Sequence, residues 1–318
     1  MATAVLIVNF RGYDDLDRCL GSLAPFLRPD DEVIVVDHES DLSRLADVAA
    51  RHPRVMPVPR DGNPGFAAGV NDAVRQSSAP YLCLLNPDTV VESPVLAVME
   101  GWLDSHPGSA VVGPRVLNAD RSTQPSARRF PGLSTALGGR STWMTRRYPR
   151  NWWSRRNLLG LESSGALDVD WVSGSCLMTR RTVFDGLGGL DESFFLYWED
   201  ADYCRRATTA GGRCTYLPWV SVQHFGSGSA RFDHARAIRA FHASAFRLYE
   251  KHCGTIGRLA APIVRAGLYV RGEMRLRQSL RDLGEPTVSA PFSSAIHARP
   301  PATPARTRAD VVRSLHDV

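Results

Sequence analysis

Apolar residues fall into two rhythms over the first third of the chain. Residues 4–10 (AVLIVNF), 32–37 (EVIVVD), 55–59 (VMPVP), 81–85 (YLCLL) and 110–116 (AVVGPRV) are nearly continuous apolar runs of strand length. Such runs suit strands covered on both faces. Between them, residues 14–26, 42–51, 65–76 and 94–105 repeat apolar side chains every three or four positions, as in Leu16, Cys19, Leu20 and Leu23, and predict helices. The alternation predicts an α/β fold around a mostly parallel central sheet with right-handed crossovers and flanking helices. Ligands of such sheets bind at the carboxyl ends of the strands. Asp37 and Asp88 stand at two of those ends and are expected to face one cleft.

The rhythm stops at residues 118–168, which are rich in Arg, Ser, Pro and Trp (Trp143, Trp152, Trp153) and are expected to form an irregular insert. It resumes with a strand at 170–180, short helix at 182–187, helix at 198–210 and strand at 214–225, then C-terminal helices at 233–252 and 255–283. The last of these has apolar residues on one side and arginines on the other. The expected organisation is a main domain at 1–252, made of a first half (1–117), the insert (118–169) and a second half (170–252). A basic helix (253–283) and a disordered tail (284–318), rich in Pro, Ala, Ser and Arg, follow.

Composition narrows the class only a little. The 318 residues are 43% hydrophobic and 22% charged, an ordinary globular mixture. No apolar run approaches the ~20 residues that span a bilayer. The opening MATAVLIVNF lacks a basic n-region and a small-residue cleavage site, so a cytoplasmic protein is expected. Six scattered cysteines with no CxxC pair indicate buried free thiols rather than zinc or disulfides. The net charge is +5, and of 38 basic residues only Lys251 is a lysine, leaving 38 − 1 = 37 arginines. They concentrate at 128–156 and 258–281. A basic surface suits nucleic acid, anionic lipid or phosphorylated substrates. No nucleic-acid motif accompanies it. Neither GxGxxG nor GxxxxGK[ST] occurs, which disfavours a dinucleotide-binding or P-loop enzyme.

The densest chemistry is residues 188–206, GGLDESFFLYWEDADYCRR. Asp191, Glu199, Asp200 and Asp202 follow or flank an aromatic cluster (Phe194, Phe195, Tyr197, Trp198). A carboxylate beside rings is costly to desolvate, and one held in an apolar wall has a raised pKa and serves as a base near neutral pH. The plain structural account is a helix start, since acids favour the positive end of the helix dipole.

Taken in order, VLIVNF (5–10), VIVVDHES (33–40), NPGFAAGVN (63–71), LLNPDT (84–89), WVSGSCLMTRR (171–181), GGLDESFFLYWEDADYCRR (188–206) and HFGSGS (224–229) resemble a family 2 glycosyltransferase of the GT-A fold. QPSARRFPGL (124–133) resembles the bacterial rhamnosyltransferase-like branch, which adds L-rhamnose from dTDP-rhamnose to cell-envelope glycans, and especially its actinobacterial members acting on polyprenyl-diphosphate-linked GlcNAc. The resemblance implies inverting, metal-dependent transfer. It assigns the general base to Asp200, with Glu199 as the alternative base or an acceptor-orienting group. Nucleotide-sugar contacts fall on Asn9, Asp37, Glu39, Asn63, Gly65, Phe66, Asn71, Asn86 and Asp88. Glu39 stands where the family more often has Gly. Asn86-Pro87-Asp88 occupies the place of the family's DxD with only the second acid retained. Asp88 and His224 are the implied ligands of Mg²⁺ or Mn²⁺, which favours hard oxygen donors. Alone, His224 reads as structural and Asp88 as a turn residue. Tyr197 and Trp198 are implied acceptor contacts, and Asp191 and Asp202 read as structural.

The implied partners are a dTDP- or UDP-sugar donor, a lipid-linked or glycan acceptor and the inner leaflet of the cytoplasmic membrane, on which the protein would sit peripherally. A UDP-sugar transferase (galactofuranosyl or N-acetylglucosaminyl) and a non-catalytic nucleotide-sugar binding module are the alternatives.

Overall fold

The computed structural model describes residues 1–130, 147, 163–226 and 233–282. Trp143, Trp152 and Trp153, residues 227–229 of the HFGSGS stretch and the expected tail lie outside the described residues.

The first half builds as its pattern dictates. Strand β1 (Thr3–Phe10) is buried at every position. Helix α1 (Tyr13–Leu23) leads to β2 (Glu32–His38), α2 (Leu42–Arg51) to β3 (Val55–Arg60), and α3 (Phe66–Arg75) to β4 (Tyr81–Leu85). The strands of this half pair in parallel in the order β3-β2-β1-β4. Because successive strand residues point to opposite faces, the run Ala4–Val8 feeds two cores. Ala4, Leu6 and Val8 meet Val70, Ala73 and Val74 of α3. Val5 and Ile7 meet Leu16 and Leu20 of α1 and Leu45 and Val48 of α2. The sheet is thus the middle layer of three.

The second half departs from parallel order. Short β5 (Thr89–Val91), unmarked by any pattern, precedes α4 (Val95–Ser105) and β6 (Ser109–Leu117). Two-residue strands β7 (Thr123–Gln124) and β8 (Ala127–Arg128) follow, then β9 (Leu167–Val169). The strand expected at 170–180 divides at Ser173-Gly174-Ser175. Its start, β10 (Trp171–Val172), pairs with β8 in a separate ribbon. Its end, β11 (Cys176–Arg180), enters the main sheet antiparallel between β4 and β6. Helix α5 (Arg181–Gly186), helix α6 (Glu199–Thr209) and strand β12 (Arg213–His224) complete the order β3-β2-β1-β4-β11-β6-β12-β5, a mixed sheet.

Helices α7 (His234–His252) and α8 (Thr255–Asp282) then pack on each other. Gly272 lets them approach, since a Cβ there would lie 3.2 Å from His242 Cγ. All six cysteines are free. Five are buried as expected, but Cys253 is half-buried because it follows the last turn of α7, at the edge of the body.

Candidate active site

Strand register assembles one wall. Asn9 of β1 sits opposite Asp37 of β2. Asn9 Nδ2 donates to Asp37 Oδ1 at 2.6 Å and Tyr13 Oη donates to Oδ2 at 2.7 Å. Asn9 and Asp37 are fully buried, and burial raises the Asp37 carboxyl above its ordinary value. Asp37 therefore organises the cleft floor under Tyr13. Glu39, in a left-handed conformation, pairs with Arg11 at the rim. Burial and then the Arg60 charge push the His38 imidazole down to about 4, so it is neutral.

The loop before α3 forms the second wall. Asn63 Oδ1 accepts from the Gly65 amide at 3.1 Å. Gly65 has φ +108°, and a Cβ there would lie 2.4 Å from the Phe195 carbonyl oxygen. Only glycine permits that approach. The Phe66 amide donates to the same carbonyl at 2.8 Å. Together with His38 and Arg236, these residues line a pocket beside Phe195 and Leu196. Asn71 lies a turn further along α3. It orders the start of the acidic stretch rather than its own loop: Oδ1 accepts from Leu190 N at 3.0 Å, and Nδ2 donates to Leu190 O at 2.9 Å.

Past the end of β4, three side chains converge. His224 Nε2 lies 3.1 Å from Asp88 Oδ1 and 3.2 Å from Asn86 Nδ2. Asp88 is buried. His224 Nδ1 faces Gln124 Oε1 at 3.0 Å, and Gln124 Nε2 donates to Asn118 Oδ1 at 3.2 Å. An Nδ1–H donated to Gln124 would leave Nε2 to face a metal ion held with Asp88, with Gln124 fixing the ring's orientation.

The acidic stretch closes the cleft. Tyr197 and Trp198 both adopt left-handed backbone, at φ 68° and 71°. Two bulky residues in that region cost about 1–3 kcal/mol each and mark a functional constraint. The helix expected from 198 accordingly starts at Glu199, with Trp198 as its left-handed cap. Trp198 packs between Trp171 and Phe241, with ring centroids 5.9 and 5.3 Å away, and its Nε1 donates to the Phe241 carbonyl. Asp200 Oδ2 accepts from the Gly174 amide at 2.8 Å and Oδ1 from its neighbour Ala201 at 2.7 Å. Glu199 is buried, and its Oε2 has no hydrogen-bond partner. Burial first, then the Asp200 charge, lifts Glu199 well above the carboxylate range. Burial also raises Asp200, against the Gly174 and Ala201 amides and the Arg128 charge. Burial raises the Tyr197 phenol, and the Glu199 and Asp88 charges add to it, so Tyr197 stands within electrostatic reach of both acid centres.

The sequence profile of Glycosyl transferase family 2 matches residues 4–188, which carry the cleft from β1 to the turn before the acidic stretch. The chain belongs to glycosyl transferase family 2. Among its relatives, N-acetylglucosaminyl-diphospho-decaprenol L-rhamnosyltransferase of Mycobacterium tuberculosis is 28% identical over 289 residues, covering 87% of this chain and 94% of that protein. Rhamnosyltransferase WbbL of Escherichia coli is 26% identical over 254 residues, 76% of this chain and 90% of its own. Among solved structures, mannosyltransferase PcManGT from Pyrobaculum calidifontis, in complex with GDP-Man and Mn²⁺, superposes at a TM-score of 0.54 with 16% identity, over 92% of this chain and 77% of that one. The fold is that of the GT-A glycosyltransferases.

Within this family 2 site, sequence reasoning missed the supports. Tyr13 on Asp37, Gln124 on His224, Gly174 on Asp200 and Arg128 beside Asp200 were not singled out. Gln124 and Arg128 stand in the QPSARRFPGL stretch, the one signal that pointed near them. Asp202 ties α6 to α7, and Asp191 ties the loop before α6 to the same end of α7. Lys251 Nζ donates to Asp191 Oδ2 at 2.7 Å and to Asp202 Oδ2 at 3.0 Å. Arg206 Nε and His252 Nε2 also reach Asp202, each at 2.8 Å. A divalent cation fits the Asp88, Asn86 and His224 side chains in chemistry. Among the described residues no cluster of three or more His, Cys, Asp or Glu side chains could enclose one, so a bound ion would need oxygens from the donor itself.

Proposed function

We propose that the chain is an inverting transferase that moves L-rhamnose from dTDP-rhamnose onto a polyprenyl-diphosphate-linked N-acetylglucosamine at the cytoplasmic face of the membrane. The observation that carries glycosyl transfer is the pair of buried Glu199 and half-buried Asp200, both raised in pKa, with Tyr197 within electrostatic reach of Glu199 and of Asp88 in the Asp88–His224 centre. The names of the mycobacterial and enterobacterial relatives support the sugar, and that of the mycobacterial relative supports the lipid-linked acceptor.

In this reading the first half, residues 1–117, takes the donor. Asn9 and Asp37 hold the floor with Tyr13, while Glu39, Asn63, Gly65 and Phe66 border the base and ribose. Asn71 keeps the acidic stretch against that wall. Asn86, Asp88 and His224 would hold Mg²⁺ or Mn²⁺, which would supply charge stabilisation for a diphosphate leaving group. The second half, 170–252, receives the acceptor between Tyr197 and Trp198. Asp200 takes the proton of the attacking hydroxyl. The amides of Gly174 and Ala201 fix its orientation, and the raised pKa suits proton transfer near neutral pH. The hydroxyl oxygen bonds to the anomeric carbon on the face opposite the leaving diphosphate, so one displacement inverts that carbon. A second assignment puts the base at Glu199, because its buried Oε2 has no hydrogen-bond partner whereas both Asp200 oxygens accept from backbone amides.

A thermal-shift panel of dTDP, UDP and GDP with Mn²⁺, Mg²⁺ or EDTA tests the donor site. A ligand at a hundredfold excess over Kd stabilises by about 2.7 kcal/mol. A metal-dependent shift with dTDP is expected. A larger shift with UDP would move the donor to a UDP-sugar, and no shift with any nucleotide would remove the donor site. Asp200→Asn should abolish transfer with nucleotide binding intact. If Asp200→Asn stays active and Glu199→Gln does not, the base is Glu199.

A further inference from the structure

Helix α8 has a buried face and an opposite one with no described partner. Gly272 and Leu276 lie against α7, and Tyr249 Oη donates to the Gly257 carbonyl at 2.7 Å. At about 100° per residue, Gly257, Ala261, Leu268, Gly272 and Leu276 mark the packed side. Ile256, Leu259, Ile263, Val270 and Met274 fall within about 60° of one another on roughly the opposite side. Those five are 55% to 85% exposed, the most continuous apolar exposure among the described residues. The stripe spans 19 residues from Ile256 to Met274, about 27 Å of helix. Exposed Arg271, Arg277 and Arg281 flank or continue it.

We infer that this stripe is the face by which the protein lies on an anionic lipid surface, with the five apolar side chains in the acyl boundary and the arginines among the headgroups. An exposed apolar stripe bordered by cations, on a helix whose opposite side packs on α7, can seat at the boundary between headgroups and acyl chains. The arginine charge favours anionic headgroups. It disfavours pairing with a second copy of the same face, which would set arginines against arginines. No described helix is long and apolar enough to cross a membrane. The inference deepens the reading of a lipid-linked acceptor. Helix α8 packs on α7, and α7 carries Phe241, which holds the Trp198 ring beside the Glu199–Asp200 pair.

The test is flotation of the full chain with vesicles of phosphatidylcholine alone or mixed with phosphatidylglycerol. Elution volume and Mn²⁺-dependent dTDP binding are followed on the same samples. The wild type should float with the anionic vesicles at low salt. Leu259→Glu/Ile263→Glu should partition at least tenfold less while binding dTDP like the wild type. Arg277→Ser/Arg281→Ser should lose binding at a lower salt concentration than the wild type. A wild type that stays at the bottom while binding dTDP overturns the surface and leaves the donor site standing. Loss of dTDP binding with flotation intact does the reverse. The surface is also overturned if the glutamate variant floats like the wild type, or if it converts a wild-type dimer to a monomer. It is overturned too if only a chain ending at 282 floats, since residues 283–318 would then be the stripe's cover.

Discussion

At the scale of residues, the site stores unfavourable charge. Glu199 is buried with one oxygen unpartnered, and its folded pKa is raised above the unfolded value. The native state therefore binds the proton more tightly, and stability falls as pH rises between the two values. Glu199→Gln should raise the unfolding free energy read from urea titration at pH 8 by about 1 kcal/mol or more. The gain should vanish on acidification. The acids titrate as a pair, so the acidic limb of the wild-type rate profile should stand above the ordinary carboxylate range. A profile flat down to pH 4 would place neither acid in the chemistry. Gln124 makes a second prediction at this scale. Gln124→Leu frees the His224 tautomer, so Mn²⁺-dependent dTDP affinity should drop by about 10–100-fold. Binding in EDTA should not change, and equal loss in both conditions would mean a merely structural role. The acids themselves were legible in sequence because carboxylates amid aromatic rings demand an explanation. Their supports were not. Tyr13, Gln124 and Gly174 act through contacts made only when distant segments meet, and no local spacing encodes those.

At the scale of elements, α6 is fixed at both ends. Its left-handed start comes from Tyr197 and Trp198, and its body is tied to α7 through Asp202. Asp202 is fully buried and contacts Lys251, Arg206 and His252. Asp202→Ala leaves three cationic or polar groups around an empty position, and should cost about 3–5 kcal/mol, read as a lower urea midpoint. Neighbouring Asp191 gives a pH signature. Burial would raise its carboxyl, but Lys251 and Ser193 hold it down at about 2. A depressed folded pKa contributes stability that is complete above the unfolded value near 4 and is lost as pH falls toward 2. Lys251→Met should flatten that part of the stability curve. Element positions were read well where one period ran on, as in β1 and α1. The strand at 170–180 was misread as single because Ser173-Gly174-Ser175 interrupts it without breaking its apolar character. Turned at Gly174, the chain presents an amide to Asp200 and re-enters the sheet in the opposite direction.

At the scale of the whole molecule, the three-layer order was visible because each parallel strand is a nearly pure apolar run. Mixed order in the second half was not. β11, inserted between β4 and β6, owes its direction to partners over sixty residues away rather than to its own composition. The contact between the Gly65 loop and the Phe195 carbonyl joins the donor wall to the acidic stretch, so the two halves cannot drift independently at the cleft. The arginine bias of the chain has a further consequence at Lys251. It carries the only ε-amine in 318 residues. Reagents that acylate or crosslink ε-amines pass over guanidinium groups, so such chemistry has one internal target. That target is the cation between Asp191 and Asp202. Coupling the protein to a solid support through its ε-amine therefore neutralises the tie between α6 and α7, and tethering through a cysteine introduced on a distant exposed position avoids it.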